Sequence, residues 1–326
     1  MIHSSIFFNE PTVVDHSFIA GDGGCYGGSV NPSFYVTGAV DTQESVVLDF
    51  SSGKKRIKDL IDDNDNGFDH KCWIVRGVSN FDGVDDTESR KSIYWPDRDE
   101  SWKYLASDQD PDRMITVTTR RLVITAPKSA FRFVLNEAQI PDIYNAVQAE
   151  MKVWLESKMP EFAFEVRMQA NAVPSTIKPY QLFRYVHGLK NSTSWGCQNI
   201  AHGHLSYIDV ETEKNVDPEF KEQILKSIAK TLDNTIFISA ENYSKSEYFH
   251  VIEYESQTRG KFTMEMPIAR PFHKFIVLET ETTIEHIIEY VAEAFKPQLQ
   301  SIKTTRLFVS EGLSKGSMMN IETEEE

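Results

Sequence analysis

Two histidines separated by one glycine, His202-Gly203-His204, follow a short alternating run, Phe183-Arg184-Tyr185-Val186-His187, that ends in a third histidine. In an extended strand, residues i and i+2 face the same side, so the two imidazoles can converge on one ion while Gly203 takes no space between them. The run ending at His187 also reads as a strand, and a hairpin through residues 188 to 201 sets it beside the pair. Three histidines and one open position describe a catalytic zinc rather than a structural one. The competing reading is two half-exposed rings on a strand, and nine histidines in 326 residues leave room for chance. Cys197, in the connecting loop, favours the metal: beside an ion it is held as thiolate, the form that attacks or removes protons.

Composition narrows the class. A chain of 326 residues has room for two domains with their own cores, and its 40% hydrophobic and 25% charged content is that of a soluble globular protein. A net charge of -15 argues against nucleic acid and anionic membranes as partners, because phosphate binding requires clustered Lys and Arg. Part of that charge is the terminal Glu322-Thr323-Glu324-Glu325-Glu326, which reads as a solvated, disordered tail. No run of about 18 apolar residues could span a bilayer, and Met1 to Phe8 lacks the pattern of a cleaved leader, so a cytoplasmic protein is expected. Three scattered cysteines imply reduced thiols; Cys25 has no ligand set around it, and Cys72 reads as a small buried hydrophobe.

Along the chain, strands are expected around 5–19, 33–40, 114–125 and 131–135, with a short amphipathic segment from Lys54 to Asp62. Ile143, Val147, Met151 and Leu155 fall on one face of a helix that starts near Pro141-Asp142. Glu161 to Met168 alternates as a strand. The stretch Ala170 to Pro179, with two prolines, is the expected boundary between halves, giving domains 1–172 and 173–326. Beyond it the pattern predicts helices at 218–232 and 283–295 and strands at 234–239, 247–253, 273–278 and 302–310. Strands and helices in this arrangement, with mostly antiparallel neighbours, give an α+β class. Residues 75–112, rich in Asp and Ser, read as one long loop.

The order of these residues resembles the 6-pyruvoyl-tetrahydropterin synthase and 6-carboxy-tetrahydropterin synthase (QueD) family of the tunnelling fold (T-fold). His187, Cys197, His202 and His204 are followed by Leu232-Asp233-Asn234, Thr283-Ile284-Glu285 and Val309-Ser310-Glu311, over residues 178 to 326. One element departs, since Asn234 stands where the family has histidine. Residues 13 to 70 resemble a second, degenerate copy. There Phe18-Ile19-Ala20-Gly21-Asp22 looks like the first ligand strand and Tyr26-Gly27-Gly28 falls where His-Gly-His belongs. Val46 to Phe50 resembles the strand end before the first helix, which leads to Asp69-His70. On this alignment Asp22, Tyr26 and Gly28 occupy the ligand positions, so the first copy should bind no zinc, yet it keeps the Asp-His pair that the second copy lacks.

The resemblance implies two tandem T-fold domains, antiparallel sheets with helices packed on one face, and a ring-forming oligomer, here three two-domain chains. It implies a lyase acting on a small-molecule pterin, 7,8-dihydroneopterin triphosphate, with one zinc per chain on His187, His202 and His204. Cys197, Asp69, His70 and Glu311 would do the proton chemistry, and Glu311, Glu285 and Thr283 would hold the pterin. Read without the family, Glu285 is a first-turn carboxylate favoured by the helix dipole, Thr283 a plausible N-cap, and Glu311 a solvent-facing strand end. The 6-carboxy branch, which leads to 7-deazaguanine compounds, is preferred slightly over the 6-pyruvoyl branch. A non-catalytic pterin-binding or assembly subunit is the alternative from another class. Whether Asp69-His70 completes the site within one chain or between chains is left open by the sequence.

Overall fold

A computed structural model of the chain describes residues 3–86, 91–94, 99–107, 110–170, 173–269 and 273–321. The acidic tail at 322–326 and, within the expected boundary of Ala170 to Pro179, residues 171–172 lie outside the described residues. The first half runs β1 (His3–Phe8), β2 (Val14–Ile19), β3 (Cys25–Ala39), α1 (Phe50–Ile61) and β4 (Lys71–Val75). It continues β5 (Gly83–Asp86), β6 (Lys91–Tyr94), α2 (Asp99–Ala106), β7 (Met114–Thr118), β8 (Val123–Pro127), β9 (Phe131–Val134), α3 (Ile143–Lys158) and β10 (Ala163–Ala170). The second half runs β11 (Leu182–His187), β12 (His202–Thr212), α4 (Pro218–Leu232), β13 (Thr235–Ser239), β14 (Tyr243–Lys245) and β15 (Phe249–Ser256). It closes with β16 (Gly260–Pro267), β17 (Lys274–Leu278), α5 (Ile284–Ala294), α6 (Lys296–Ser301), β18 (Thr304–Glu311) and β19 (Lys315–Asn320).

The α+β class holds, and two sheets repeat one connectivity. In the first, β3 pairs antiparallel with β2 and β10, while β2, β4 and β9 run parallel. In the second, β12 pairs antiparallel with β11 and β18, while β11, β13 and β17 run parallel. The helices in matching positions bury one face each: Ile143, Val147, Met151 and Leu155 of α3 are buried, as are Ile284, Ile287, Ile288 and Val291 of α5. Asp142 caps α3 by accepting from Asn145 N at 2.9 Å, and Asp217 caps α4 ahead of Pro218 at its first turn.

Several sequence expectations need correction. Residues 75–112 are not one long loop: they contain β5, β6 and α2. Residues 5–19 and 114–125 are each two strands with a turn between, and 46–48 form no strand; Asp49 there caps α1 by accepting from Ser52 N at 2.8 Å. The two halves do not form separate sheets either. A third sheet, in the order β14-β15-β16-β8-β7-β5-β6, takes strands from both, joined where Thr263, Met264 and Glu265 of β16 pair with Thr125, Ile124 and Val123 of β8. One apolar core likewise draws Ile19, Cys72, Ile74 and Trp102 from the first half and Val186, Ile236, Ile238 and Phe262 from the second. Cys72 is fully buried there, as its reading as a small hydrophobe requires.

The halves also meet backbone to backbone. A Cβ on Gly27 would lie 2.0 Å from Tyr185 O and 2.7 Å from His204 N, and one on Gly203 would lie 2.7 Å from Gly27 Cα. Glycine is required at both positions because two sheets cross there without room for a side chain. Gly203 therefore does more than keep the space between two histidines open.

Candidate metal centre and cysteine site

Register sets the histidines. Across β11 and β12, His187 pairs with His202 and Tyr185 with His204, so all three rings leave one patch of the sheet. They are essentially inaccessible, at 1%, 0% and 0% exposure for His187, His202 and His204. One nitrogen from each lies within 4.8 Å of the others. In two of the rings Nδ1 is hydrogen-bonded, and in the third it faces a carboxylate without a formed hydrogen bond. It donates to Thr282 O at 2.8 Å in His187 and to Asn199 O at 2.9 Å in His202, and in His204 it faces Asp15 Oδ1 at 3.2 Å. Such partners fix the tautomer that leaves Nε2 as the ligand atom.

The Nε2 atoms fit a zinc. His202 Nε2 is buried with no hydrogen-bond partner, and His187 Nε2 sits 3.1 Å from His204 Nε2, so two lone pairs would oppose each other without a proton or cation between them. Tetrahedral ligands about 2.1 Å from a zinc stand about 3.4 Å apart, close to that spacing. Burial holds His187 down to about 3, with the charge of His204 adding to it, and burial likewise pushes His202 well below its ordinary value. Both rings are thus neutral, as ligands must be.

Cys197 lies in a tight turn, Gly196–Gln198, within the connection from β11 to β12. Its Sγ is 3.6 Å from Nε2 of His70, which the first half supplies. His70 Nδ1 donates to Asp69 Oδ2 at 2.6 Å. The contact is made within one chain. Gly196 permits it, since a Cβ there would lie 2.6 Å from His70 Cγ. Asn199 fastens the two halves at this point, donating from Nδ2 to His70 O at 3.0 Å and to Ala130 O at 2.9 Å. Burial alone would lower His70 and raise Cys197. The Asp69 carboxylate instead holds His70 well above its usual range, and the His70 hydrogen bond and charge draw the Cys197 thiol below its own. The pair is biased toward thiolate and imidazolium.

The Asp69-His70 turn has a counterpart in the other half. Asp69 Oδ1 accepts from Asp15 N at 2.8 Å and His70 N donates to Asp15 O at 2.6 Å; Asp233 Oδ1 accepts from Arg184 N at 2.9 Å and Asn234 N donates to Arg184 O at 2.7 Å. His70 and Asn234 both adopt a left-handed backbone, at φ 54° and 59°. The Asp is therefore a structural clasp in both halves, and only the first clasp carries an imidazole. Because Asp15 matches Arg184, Phe18 matches His187, which corrects the alignment of Asp22 with the first ligand. Tyr26 and Gly28 do match His202 and His204, by the pairs Phe18–Tyr26 and His16–Gly28. In the first half that position is filled by rings: His16 stacks on Trp73 at 3.6 Å, and a Cβ on Gly28 would meet His16 Nε2 at 2.6 Å and Tyr144 Oη at 2.8 Å.

Glu311, at the end of β18, reaches His204 Nε2 at 3.9 Å and pairs with Lys315 at 3.4 Å. Thr283 stands at the N-cap of α5 without a capping bond from its side chain, bonding His286 Nδ1 at 3.2 Å instead, and Glu285 is exposed in the first turn. Its neighbour Thr282 is the residue that meets His187. Sequence reasoning missed Asp15, which is buried in β2, accepts from Ser29 Oγ at 2.5 Å and faces His204. The signal available was an acid inside a short strand whose polar residues His16 and Ser17 are buried with it.

No protein-family model matches the sequence, and no curated protein sequence matches it. Among solved structures, the chain is similar to 6-pyruvoyl tetrahydropterin synthase from Plasmodium falciparum at 13% identity and a TM-score of 0.34, over 45% of this chain and 94% of that one. The same enzyme from Plasmodium vivax is similar at 14% identity and a TM-score of 0.33, over 44% and 94%. An uncharacterised protein from Wolinella succinogenes is similar at 16% identity and a TM-score of 0.31, over 44% of this chain and 95% of that one.

Proposed function

We propose that this chain is a zinc-dependent pterin synthase, a lyase acting on 7,8-dihydroneopterin triphosphate, built from two tandem T-fold copies, 1–172 and 173–326, that share one composite site. The observation that carries the reading is the contact of Cys197 with His70, one from each half, beside the three-histidine cluster. The repeated strand order and the repeated Asp clasp support duplication.

His187, His202 and His204 would hold the zinc, which when bound supplies Lewis acidity that lowers the pKa of a coordinated hydroxyl. Cys197, as thiolate, takes a proton from the substrate side chain. His70 exchanges protons with Cys197 through Nε2, and Asp69 keeps Nδ1 protonated so that Nε2 is the nitrogen that faces the sulfur. Glu311 joins the proton traffic and, with Thr283 and Glu285, accepts hydrogen bonds from the pterin edge. Burial of the histidines excludes bulk water from their side of the site.

The test is incubation of zinc-loaded protein with dihydroneopterin triphosphate and identification of the product by mass spectrometry. The 6-carboxy product is expected; the 6-pyruvoyl product would keep the mechanism and change the branch. Absence of turnover at full zinc occupancy would refute the enzyme and favour a pterin-binding subunit. We further propose that three such chains close a ring, removing exposed sheet edges; a monomer in light scattering would contradict that.

A further inference from the structure

Beside the Cys197 turn, Trp195 carries two cations against its ring: Arg259 Cζ at 3.6 Å from the centroid and Lys71 Nζ at 4.8 Å. Lys71 follows His70 directly, and Arg259 lies in the turn between β15 and β16. Both are buried, at 0% and 5% exposure. Lys71 donates to Ser129 O at 2.5 Å and to Asn64 O. Arg259 Nη1 donates to Trp195 O at 3.3 Å, while its Nε and Nη2 meet no hydrogen-bond partner. Among the described residues no carboxylate comes within ion-pair distance of either cation, although Asp65 acts on both from farther off, with Asp63 on Lys71 and Asp112 on Arg259.

Two like charges around one indole, with unused guanidinium donors, are costly to bury without a counter-charge in direct contact. Burial brings Arg259 down to about 9; burial and the charge of Arg259 press Lys71 well below its ordinary value. An anion rich in oxygens answers both, because the guanidinium fork grips phosphate oxygens in pairs and the ammonium adds a point charge. The cover over the cluster is thin: Trp195 is half-buried, and Thr193 and Ser194 before it are exposed.

We propose that Arg259 and Lys71, grouped on Trp195, form a phosphate-binding subsite that takes the polyphosphate end of the substrate. The class of anion follows from the cluster itself; that the substrate brings it rests on the function proposed above. The hairpin bearing Arg259 is also tied to the cysteine turn, since Thr258 Oγ1 donates to Gln198 Oε1 and Tyr254 Oη donates to Gln198 O, both at 2.8 Å. A phosphate held by Arg259 thus orders the turn that presents Cys197.

The experiment is calorimetric titration of the full zinc-loaded chain with inorganic triphosphate and, separately, with unphosphorylated dihydroneopterin. Saturable triphosphate binding is expected, weakened at least about tenfold in Arg259→Gln through loss of a charged bidentate donor, with dihydroneopterin affinity unchanged. Arg259→Lys keeps the charge without the fork and is expected to bind triphosphate several-fold more weakly than the parent, which covers the case in which Arg259→Gln fails to fold. No triphosphate binding to the parent, or parental affinity in the folded variants, would overturn the subsite. Triphosphate binding without turnover of any pterin would sink the proposed function and leave the subsite standing.

Discussion

The two halves put different chemistry on matching frames. Where the second presents His187, His202 and His204, the first presents Phe18, Tyr26 and Gly28 and packs the space with His16, Trp73 and Tyr144. Where the first ends its clasp in His70, the second has Asn234. The exchange extends to the strand between: Asp15 reaches His204 in the other half, while the charge of its counterpart Arg184 acts on Tyr144 in the first. Two similar frames can thus carry different groups, with each half supplying across the interface what the other does not hold.

The comparison breaks most completely if the halves are prised apart. Gly27→Ala places a Cβ 2.0 Å from a backbone oxygen, so it should destabilise the chain by about 3 kcal/mol or more in urea unfolding. Gly83→Ala, with nothing within 4 Å, should cost far less; equal effects would mean that the close crossing is unimportant.

Next in size are the reacting groups. Cys197→Ala should lower turnover by about 10²- to 10⁴-fold while leaving zinc content unchanged. In the parent, the lowered thiol keeps thiolate, and so activity, present below the ordinary thiol range, and activity is lost as pH falls through that depressed value. His70→Ala removes the cause of the depression, so the acid limb of the rate profile should move up toward about 8.5. A limb that stays in place would show that the first half does not tune the sulfur.

A smaller effect sharpens the exchange. Asp15→Asn should weaken zinc binding by about 10- to 100-fold in chelator competition, the usual consequence of losing a carboxylate behind a ligating histidine. Unchanged affinity would confine the metal site to the second half. Smallest of all, Glu285→Gln should raise KM less than Glu311→Gln and change stability by about 0.3–1 kcal/mol through the helix end. The reverse order of KM would place the pterin at α5 rather than beside His204.

The parts legible in sequence were those written locally. A two-residue period placed His202 and His204 on one face, a helical period placed Ile143, Val147, Met151 and Leu155 on another, and Cys197 sat within the hairpin they define. What escaped depends on partners distant in sequence. Nothing near Asp15 announces His204, and nothing in β8 announces β16, some 140 residues on. Phe18 to Asp22 has the same spacing as Phe183 to His187, which sets Asp22 at the ligand position; only the strand register shows that it is Phe18 that matches His187. The residues 75–112 looked like a loop because β5 and β6 are short and become a sheet only beside β7.

The central claim is one composite centre per chain, with its metal on the second half. Elemental analysis of the purified full-length protein, beside His202→Ala, tests it most directly: one zinc per chain, lost in the variant, is the predicted result. Two per chain would mean that the ring-filled position of the first half binds metal after all, and none would remove the metal from the account.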